Sequence, residues 1–120
     1  PTETQIMESK TVTETVVPKT IMIAYSDSGF SPSMVTIKSG DTVTFVNQSG
    51  EAMWVSADEH PTHTQYSGTK LREHCPDTAG VAFDQCGRGM EYSFTFNKVG
   101  SWSYHNHSNA SMTGTVVVEQ

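Results

Sequence analysis

Four of the five histidines in this 120-residue chain fall into two short pairs, His60 with His63 and His105 with His107. Residues two apart on an extended strand point to the same side, so His105 and His107 share one face and leave the aromatic residues of 102–104 (WSY) on the other. A turn at the proline inside the first pair would bring its two imidazoles within reach of one ion. Imidazole sites suit copper, zinc or nickel, and Cu(II) heads the affinity series. The spacing therefore predicts a site for copper, zinc or nickel made of His60, His63, His105 and His107.

Four other residues are weaker candidates for the same site. His74, next to Cys75, is a fifth imidazole that could ligate, although a solvated position beside a disulfide is the favoured interpretation. Met112 could offer a weak thioether contact or serve as a core or rim side chain. Asp58 and Glu59 precede the first histidine, and either carboxylate could fix the tautomer of an imidazole ligand.

The chain has two cysteines, Cys75 and Cys86, in a region that contains glycine, proline and aspartate. With no CxxC motif, the pair most simply forms one disulfide, which indicates an oxidising compartment. The alternative interpretation makes one of the cysteines a thiolate ligand or a redox centre.

Composition excludes several partner classes. The formal charge of −6 and a pI near 5.2 argue against binding to nucleic acid or to an anionic membrane surface. The longest purely apolar run has five residues (IMIAY, 21–25), too short for a membrane span. Residues 1–17 are rich in Thr and Glu and lack aromatics, which is typical of a leader or tether, with a first strand around 11–17 as the alternative. We expect a trimmed, exported protein that is periplasmic, extracellular or tethered to the outer side of a membrane.

Residues 18–120 predict one all-β domain, a Greek-key β-sandwich or barrel. Short stretches that alternate apolar and polar residues are separated by turns containing Gly, Ser, Asp or Pro. Residues 57–90 show no sustained period apart from a weak helix around 69–73, and an irregular stretch of that length is usually functional. The predicted strands cover 19–25, 35–37, 43–47, 53–55, 92–96, 102–104 and 113–119.

Two blocks of the sequence resemble the cupredoxins, the plastocyanin-like copper proteins. The first consists of residues 30–37, with FSP and VTI, and residues 40–47 (GDTVTFVN). The second consists of residues 100–104 (GSWSY) and 112–118 (MTGTVVV). The resemblance implies a cupredoxin-like fold and copper as the cofactor.

The ligands of the family's blue copper site are not all present. The resemblance places the first histidine ligand near Met53 or Trp54 and the cysteine ligand at Asn106, while Met112 matches the axial methionine. Residues 104–107 (YHNH) instead resemble the Tyr-His-Cys-His segment of multicopper oxidases with Asn in place of Cys, and residues 60–63 (HPTH) resemble their His-Pro-x-His segment. The resemblance therefore implies copper-binding histidines without a thiolate, as in a type 2 centre.

The favoured function is copper binding or delivery, with electron transfer as a further role and a redox or copper-delivery protein as partner. Because the comparable coppers of oxidases and nitrite reductases lie between domains or subunits, a homo-oligomer with a shared site is also expected. One alternative is a copper-dependent oxidoreductase that uses an open position on the metal, with Tyr104 or Glu59 nearby. The others are a thiolate redox protein that uses Cys75 or Cys86, and a metal-free adhesion domain.

Overall fold

The computed structural model describes residues 17–120 as two four-stranded β-sheets with one short helix. The first sheet has the strand order β2-β1-β4-β6 and the second has the order β3-β8-β7-β5. The elements are β1 (Thr20–Ser26), β2 (Gly29–Ser31), β3 (Met34–Lys38), β4 (Thr42–Asn47), β5 (Val55–Ala57), α1 (Leu71–His74), β6 (Glu91–Thr95), β7 (Gly100–Asn106) and β8 (Asn109–Glu119).

The pairing is mixed. Strand β1 runs parallel to β4 and β3 runs parallel to β8, while the other neighbours are antiparallel. This gives each sheet one parallel pair and makes β7 a central strand of the second sheet, between β5 and β8. The strand that carries His105 is therefore held by hydrogen bonds on both sides. The predicted all-β sandwich is confirmed.

Aromatic rings packed around Tyr104 form the middle of the core. Phe30, Phe45 and Phe83 each meet the Tyr104 ring edge to face, with ring centroids 4.9, 5.2 and 5.8 Å apart. Such edge-to-face pairs are favourable beyond the area they bury. Phe30 and Phe45 come from the first sheet, Tyr104 comes from the second, and Phe83 comes from the long loop before β6. The core thus anchors the end of β7 that leads to the histidines.

The region between β5 and β6 is irregular, as its lack of period predicts, but part of it is buried in the core. It contributes Tyr66, Ala82 and Phe83 to the buried interior, and a single bridge pairs Ser56 with Asp84. Its only helix among the described residues is α1, a turn of four residues that begins two residues later than predicted. Within residues 17–120, no helix has the length and apolar composition that a membrane span needs.

Two segments that lie outside the predicted strands are β-strand in the structure. Gly29–Ser31 forms β2, because it pairs with the end of β1 and buries Phe30 in the core. The polar stretch 108–111 belongs largely to β8, which begins at Asn109 because it continues the pairing with β7 through a bulge at His105 and Asn106. The leader or first strand predicted for residues 1–17 falls almost wholly outside the described residues and stays a prediction.

Candidate metal centre

The four predicted histidines approach one another from two elements. His105 lies in β7 opposite Ser56 of β5, and the chain leaves β7 at Asn106, so that His107 is the next residue. The backbone N–H of His107 donates to the Trp54 carbonyl at 2.7 Å, which fixes its position beside β5. The other pair comes from the loop that directly follows β5.

The imidazoles of His60, His63, His105 and His107 form a single group. Nitrogens of His60, His105 and His107 lie within 4.8 Å of one another. Nε2 of His63 lies 2.9 Å from Nδ1 of His107, a separation close to the roughly 2.8 Å expected for two nitrogens bound cis on an ion at about 2.0 Å. The hydroxyl of Ser56 lies 3.2 Å from Nε2 of His63 and 3.4 Å from Nε2 of His105. The structure therefore brings together all four predicted residues within one chain.

Two of these imidazoles are held from behind by carboxylates. Nδ1–H of His105 donates to Oδ1 of Asp58 at 2.6 Å, and Nδ1–H of His63 donates to Oδ2 of Asp84 at 2.8 Å. The carboxylates can only accept, so they assign the ring proton to Nδ1 and leave an unprotonated Nε2 on the opposite side of each ring. Such carboxylate–histidine pairs fix the tautomer and raise the basicity of a metal ligand. Asp58 thus has the predicted orienting role, whereas Glu59 contributes its backbone carbonyl, which accepts from the N–H of His63.

Burial divides the four histidines and sets their charge. His63 and His105 are buried, His107 is half-buried and His60 is exposed. Burial lowers the pKa of His105, although the adjacent Asp58 acts in the opposite direction. Burial together with the neighbouring imidazoles also lowers the pKa of His107. Both rings are therefore neutral, and able to ligate, around pH 7.

Asp84 is the main contributor to the site that the sequence analysis missed. Its carboxylate is buried, and it accepts hydrogen bonds from two imidazoles, the Trp54 indole and the backbone N–H of Cys86. Burial alone would raise the pKa of Asp84, but these hydrogen bonds outweigh it and lower the pKa to about 2. An aspartate within a 34-residue stretch without period carries no signal of its own, because its role depends on a contact that spans 21 residues.

Trp54 also has a role that its sequence position did not reveal. Its ring centroid lies 4.2 Å from that of His107, and its Nε1–H donates to Oδ1 of Asp84 at 2.8 Å. The tryptophan therefore covers one histidine while it orients the carboxylate that holds another.

The positions of the family's blue copper ligands are filled by packing and backbone hydrogen bonds. Asn106 is buried, and its amide accepts from the N–H groups of Trp54 and Ser108 and donates to the Ala52 carbonyl. Met53 is fully buried in the core. Met112 packs against the core with its sulfur next to Gly29. The Asn106 side chain thus connects the segment before β5 to the turn that follows β7.

The cysteines form a disulfide, as the favoured prediction states. Cys75 and Cys86 are bonded with their Cα atoms 5.5 Å apart, so the alternative of a thiolate ligand or thiolate redox centre at either cysteine is wrong. The prediction that His74 is solvated is also wrong. Its side chain is 5% exposed, and Nε2–H donates to Oδ2 of Asp84 at 2.7 Å. His74 therefore lies behind the imidazole group, against the carboxylate that orients His63.

The donor set fits copper. Four neutral nitrogens suit Cu(II), and the carboxylates of Asp58 and Asp84 place negative charge directly behind two of the rings, where it offsets a bound cation. No soft sulfur donor stands among the four, and the two cysteines are consumed in the disulfide.

Comparison with known proteins agrees with the fold and the cofactor. Residues 19–119 match the family of copper-binding proteins described as the plastocyanin/azurin family. A plastocyanin from Scenedesmus fuscus is 33% identical over 99 residues, which cover 78% of this chain and 93% of the plastocyanin.

Solved structures of cupredoxins are similar in fold. The reduced form of an amicyanin variant superposes with a TM-score of 0.62 at 22% identity, over 87% of this chain and 86% of the amicyanin. A purple cupredoxin from Nitrosopumilus maritimus superposes with a TM-score of 0.61 at 15% identity, over 82% of this chain and 99% of that protein.

Proposed function

This chain belongs to the copper-binding plastocyanin/azurin family, the cupredoxins, with copper as its cofactor, and on that premise we propose that it binds or delivers copper. The proposed site holds one Cu(II) ion through His60, His63, His105 and His107. The observation that carries the proposal is the convergence of four imidazoles. Three of them present nitrogens within 4.8 Å of one another, and the fourth has its Nε2 2.9 Å from Nδ1 of His107.

The chain's own residues position the four imidazoles. Asp58 and Asp84 hold the protons of their histidines on Nδ1, so that Nε2 of each ring is unprotonated. Trp54 covers His107, and burial keeps the His105 and His107 rings neutral around pH 7. Nδ1–H of His107 donates to Nε2 of His63 at 2.9 Å. For a cation to bind both of these nitrogens, that proton would move to Nε2 of the neutral His107 ring, which is a change of tautomer without net release of a proton. A bound copper ion would supply a Lewis-acidic, redox-active centre without a thiolate.

Electron transfer is the less favoured role. The family's blue centres depend on a thiolate bond to copper, and Asn106 occupies that position here, with its amide oxygen accepting two hydrogen bonds and its amide nitrogen donating one. An all-imidazole donor set favours a flattened Cu(II) geometry that must rearrange on reduction, which slows electron exchange with a protein partner. Delivery or buffering of copper requires no such rearrangement of the metal during function.

Spectroscopy of the copper-loaded protein tests the proposal. We expect an axial electron paramagnetic resonance signal with nitrogen superhyperfine structure and no intense absorption near ~600 nm, as ligand type predicts. A strong blue or red colour would show sulfur in the centre and refute the proposed ligand set. Absence of nitrogen superhyperfine structure in the saturated protein would refute it as well.

The disulfide supports a location outside the reducing cytosol. Cys75 and Cys86 are paired, and such bonds persist in the periplasm or outside the cell. We therefore propose a periplasmic or extracellular location, either free or tethered to the outer face of a membrane. Because the four imidazoles meet within one chain, a second subunit is not needed to complete the site, and sedimentation of the copper-loaded protein would test the expected homo-oligomer.

One observation favours an enzymatic alternative. A surface cavity of about 400 Å³ adjoins the histidine group, and its wall includes the half-buried His107 together with two cationic side chains. In a chain of net charge −6, this local positive charge would attract a small anion to the edge of the metal site. The alternative is therefore a copper-dependent oxidoreductase acting on a small anion such as superoxide or nitrite. The cavity is lined by Pro61, Thr62, Lys70, Leu71, Arg72 and His107.

Azide binding to the copper-loaded protein tests this alternative. We expect azide to alter the visible and paramagnetic spectra, and the Lys70→Gln/Arg72→Gln variant to need several-fold more azide for the same change. Lys98→Gln is the matched control, because its ammonium group lies over the Tyr66 ring and away from the cavity. Superoxide dismutation or oxygen uptake that scales with bound copper would then favour an enzyme. Equal azide affinity in all variants would remove the cavity as an argument for one.

A further inference from the structure

The loop closed by the disulfide is connected to the imidazole group through one carboxylate. Asp84 accepts from Nδ1–H of His63 at 2.8 Å and from Nε2–H of His74 at 2.7 Å, both on Oδ2. Its other oxygen accepts from the Trp54 indole at 2.8 Å and from the backbone N–H of Cys86 at 2.9 Å. All four donors converge on a buried group, so displacement of one changes the position of the carboxylate for the others.

Two of these four donors stand at the ends of the disulfide. His74 directly precedes Cys75, and the N–H that reaches Oδ1 belongs to Cys86 itself. The S–S bond holds these two chain segments with their Cα atoms 5.5 Å apart. The disulfide thus holds together the two donors that bond the two oxygens of this carboxylate.

The backbone around this carboxylate is held in unfavourable conformations. Phe83 and Cys86 have φ angles of 48° and 61°, and His63 has a φ of 61°. Non-glycine residues in this region of φ cost free energy and persist only where surrounding contacts determine them. We therefore expect these residues to move toward more favourable φ angles when a constraint on the loop is removed.

We propose that His74 and the Cys75–Cys86 disulfide are positioning groups for the metal ligand His63, and that opening the disulfide lowers the copper affinity of the site. This inference rests on the proposed function, because it assigns a control to the same copper site. The reduction itself is a thiol–disulfide exchange in which an external dithiol transfers two electrons and two protons. The S–S bond breaks, Cys75 and Cys86 become thiols, and the dithiol becomes a disulfide.

The consequence for His63 follows from chain entropy and hydrogen bonding. Opening the bond returns conformational freedom to residues 75–86, so the two donors at its ends no longer hold Asp84 in one place. The carboxylate then orients the His63 ring less well, and Nε2 spends less time directed toward the other three imidazoles. Loss of such an orienting partner typically weakens metal binding by about 10–100-fold.

The test uses serine in place of both cysteines, because free thiols would bind copper themselves. Cu(II) affinity is measured by competition with a chelator for wild type and for Cys75→Ser/Cys86→Ser. We expect binding to weaken by roughly tenfold, at the lower end of the range for an orienting partner. His74→Leu, which removes the donor and keeps the volume, is expected to weaken binding to a similar extent, whereas His74→Gln, which keeps an N–H donor, should retain more affinity.

Combining the changes separates this mechanism from general loosening of the loop. If both act through Asp84, His74→Leu in the serine background should cost little more than either change alone. Asp77→Asn is the matched control, because Asp77 lies in the same loop but accepts from the N–H groups of Val81 and Ala82. We expect it to lower the thermal midpoint and leave the copper affinity and the paramagnetic spectrum at wild-type values.

Three results would overturn the inference: wild-type copper affinity in the folded serine variant, an equal loss in Asp77→Asn, or equal affinities for His74→Leu and His74→Gln. The comparison of the two His74 variants stands even if the serine variant does not fold. Wild-type protein that shows nitrogen superhyperfine structure while these variants show no change would refute only the positioning role. Wild-type protein without that structure would instead refute the proposed copper site.

Discussion

The two ends of the β-sandwich each contain a buried aspartate, and the two carboxylates accept from different donors. At the end where β7 begins, Asp41 accepts from the backbone N–H groups of Lys19 and Lys38 at 2.8 and 2.9 Å. At the end where β7 finishes, Asp84 accepts from the imidazoles of His63 and His74. One carboxylate therefore ties chain segments of the two sheets together, and the other orients imidazole side chains.

This difference separates the residues that build the fold from those that build the site. The hydrogen bonds to Asp41 connect the start of β1, the end of β3 and the start of β4, so their loss opens the frame. The hydrogen bonds to Asp58 and Asp84 fix ring tautomers within a frame that is already closed. A carboxylate at the first end should therefore matter to stability, and a carboxylate at the second end should matter to metal affinity.

The largest expected effect is on copper binding after loss of an anchored imidazole. His63→Gln or His105→Gln should weaken Cu(II) binding by more than about a hundredfold, because loss of an orienting partner alone costs 10–100-fold. His60→Gln is the matched comparison. Its ring is exposed and belongs to the half of the group without a carboxylate behind it, so the loss should be smaller. Chelator competition on the three variants measures the order, and a greater loss for His60→Gln than for the other two would contradict it.

The next effect tests the two ends directly. Asp58→Asn should weaken copper binding by about 10–100-fold with a small change in thermal midpoint, because it removes the acceptor of the His105 ring proton. Asp41→Asn should lower the thermal midpoint of the metal-free protein and leave copper affinity unchanged. Thermal unfolding and chelator competition on the same two preparations are sufficient. If both variants lose copper affinity equally, the assignment of separate roles to the two ends is wrong.

The pH dependence of stability should reflect the imidazole end. The pKa values of His105 and His107 are lowered in the folded chain, chiefly by burial, while unfolded histidines protonate near about pH 6.5. Below that pH the unfolded chain binds more protons than the folded chain, so folding free energy is lost as the pH falls toward the lowered values. Denaturant titrations of the metal-free protein between about pH 7 and 5 should show this decline. His105→Gln should flatten it, and an identical slope in that variant would contradict the assignment.

The lowered pKa values also affect the copper-loaded protein. Because protons compete with the metal only once the rings can be protonated, copper release on acidification should have its midpoint below about pH 6.5.

Asp41 and Asp84 contribute to folding stability over a separate, more acidic pH range. Their pKa values are lowered, that of Asp84 to about 2, so their stabilisation is present above the ordinary carboxyl pKa and is lost only under strongly acidic conditions.

The sequence predicted the features that show a local period and missed the features that depend on a long-range contact. Alternation in residues 43–47 and in 102–104 predicted strands and their buried faces, since a period of two is visible locally. The spacing of His105 and His107 identified half of the imidazole group for the same reason. Asp84 and the burial of His74 could not be predicted, because both depend on how the irregular region between β5 and β6 folds back against Trp54. Gly29–Ser31 was missed because three residues are too few to show a period.

The smallest effect concerns Tyr104, the neighbour of His105 on the opposite face of β7. Its hydroxyl is buried, has no hydrogen-bond partner among the described residues and lies over Gly114 of β8. Burial raises the pKa of this hydroxyl above its ordinary value, which keeps it protonated. Tyr104→Phe retains the ring contacts with Phe30, Phe45 and Phe83 and removes an unsatisfied polar group, so the free energy of unfolding should be unchanged or higher by up to about 1 kcal/mol. Copper affinity should be unaffected, because the hydroxyl belongs to the core rather than to the imidazole group. Denaturant unfolding and chelator competition on this variant measure the two quantities. Weaker copper binding with unchanged stability would contradict the division between residues that build the fold and residues that build the site.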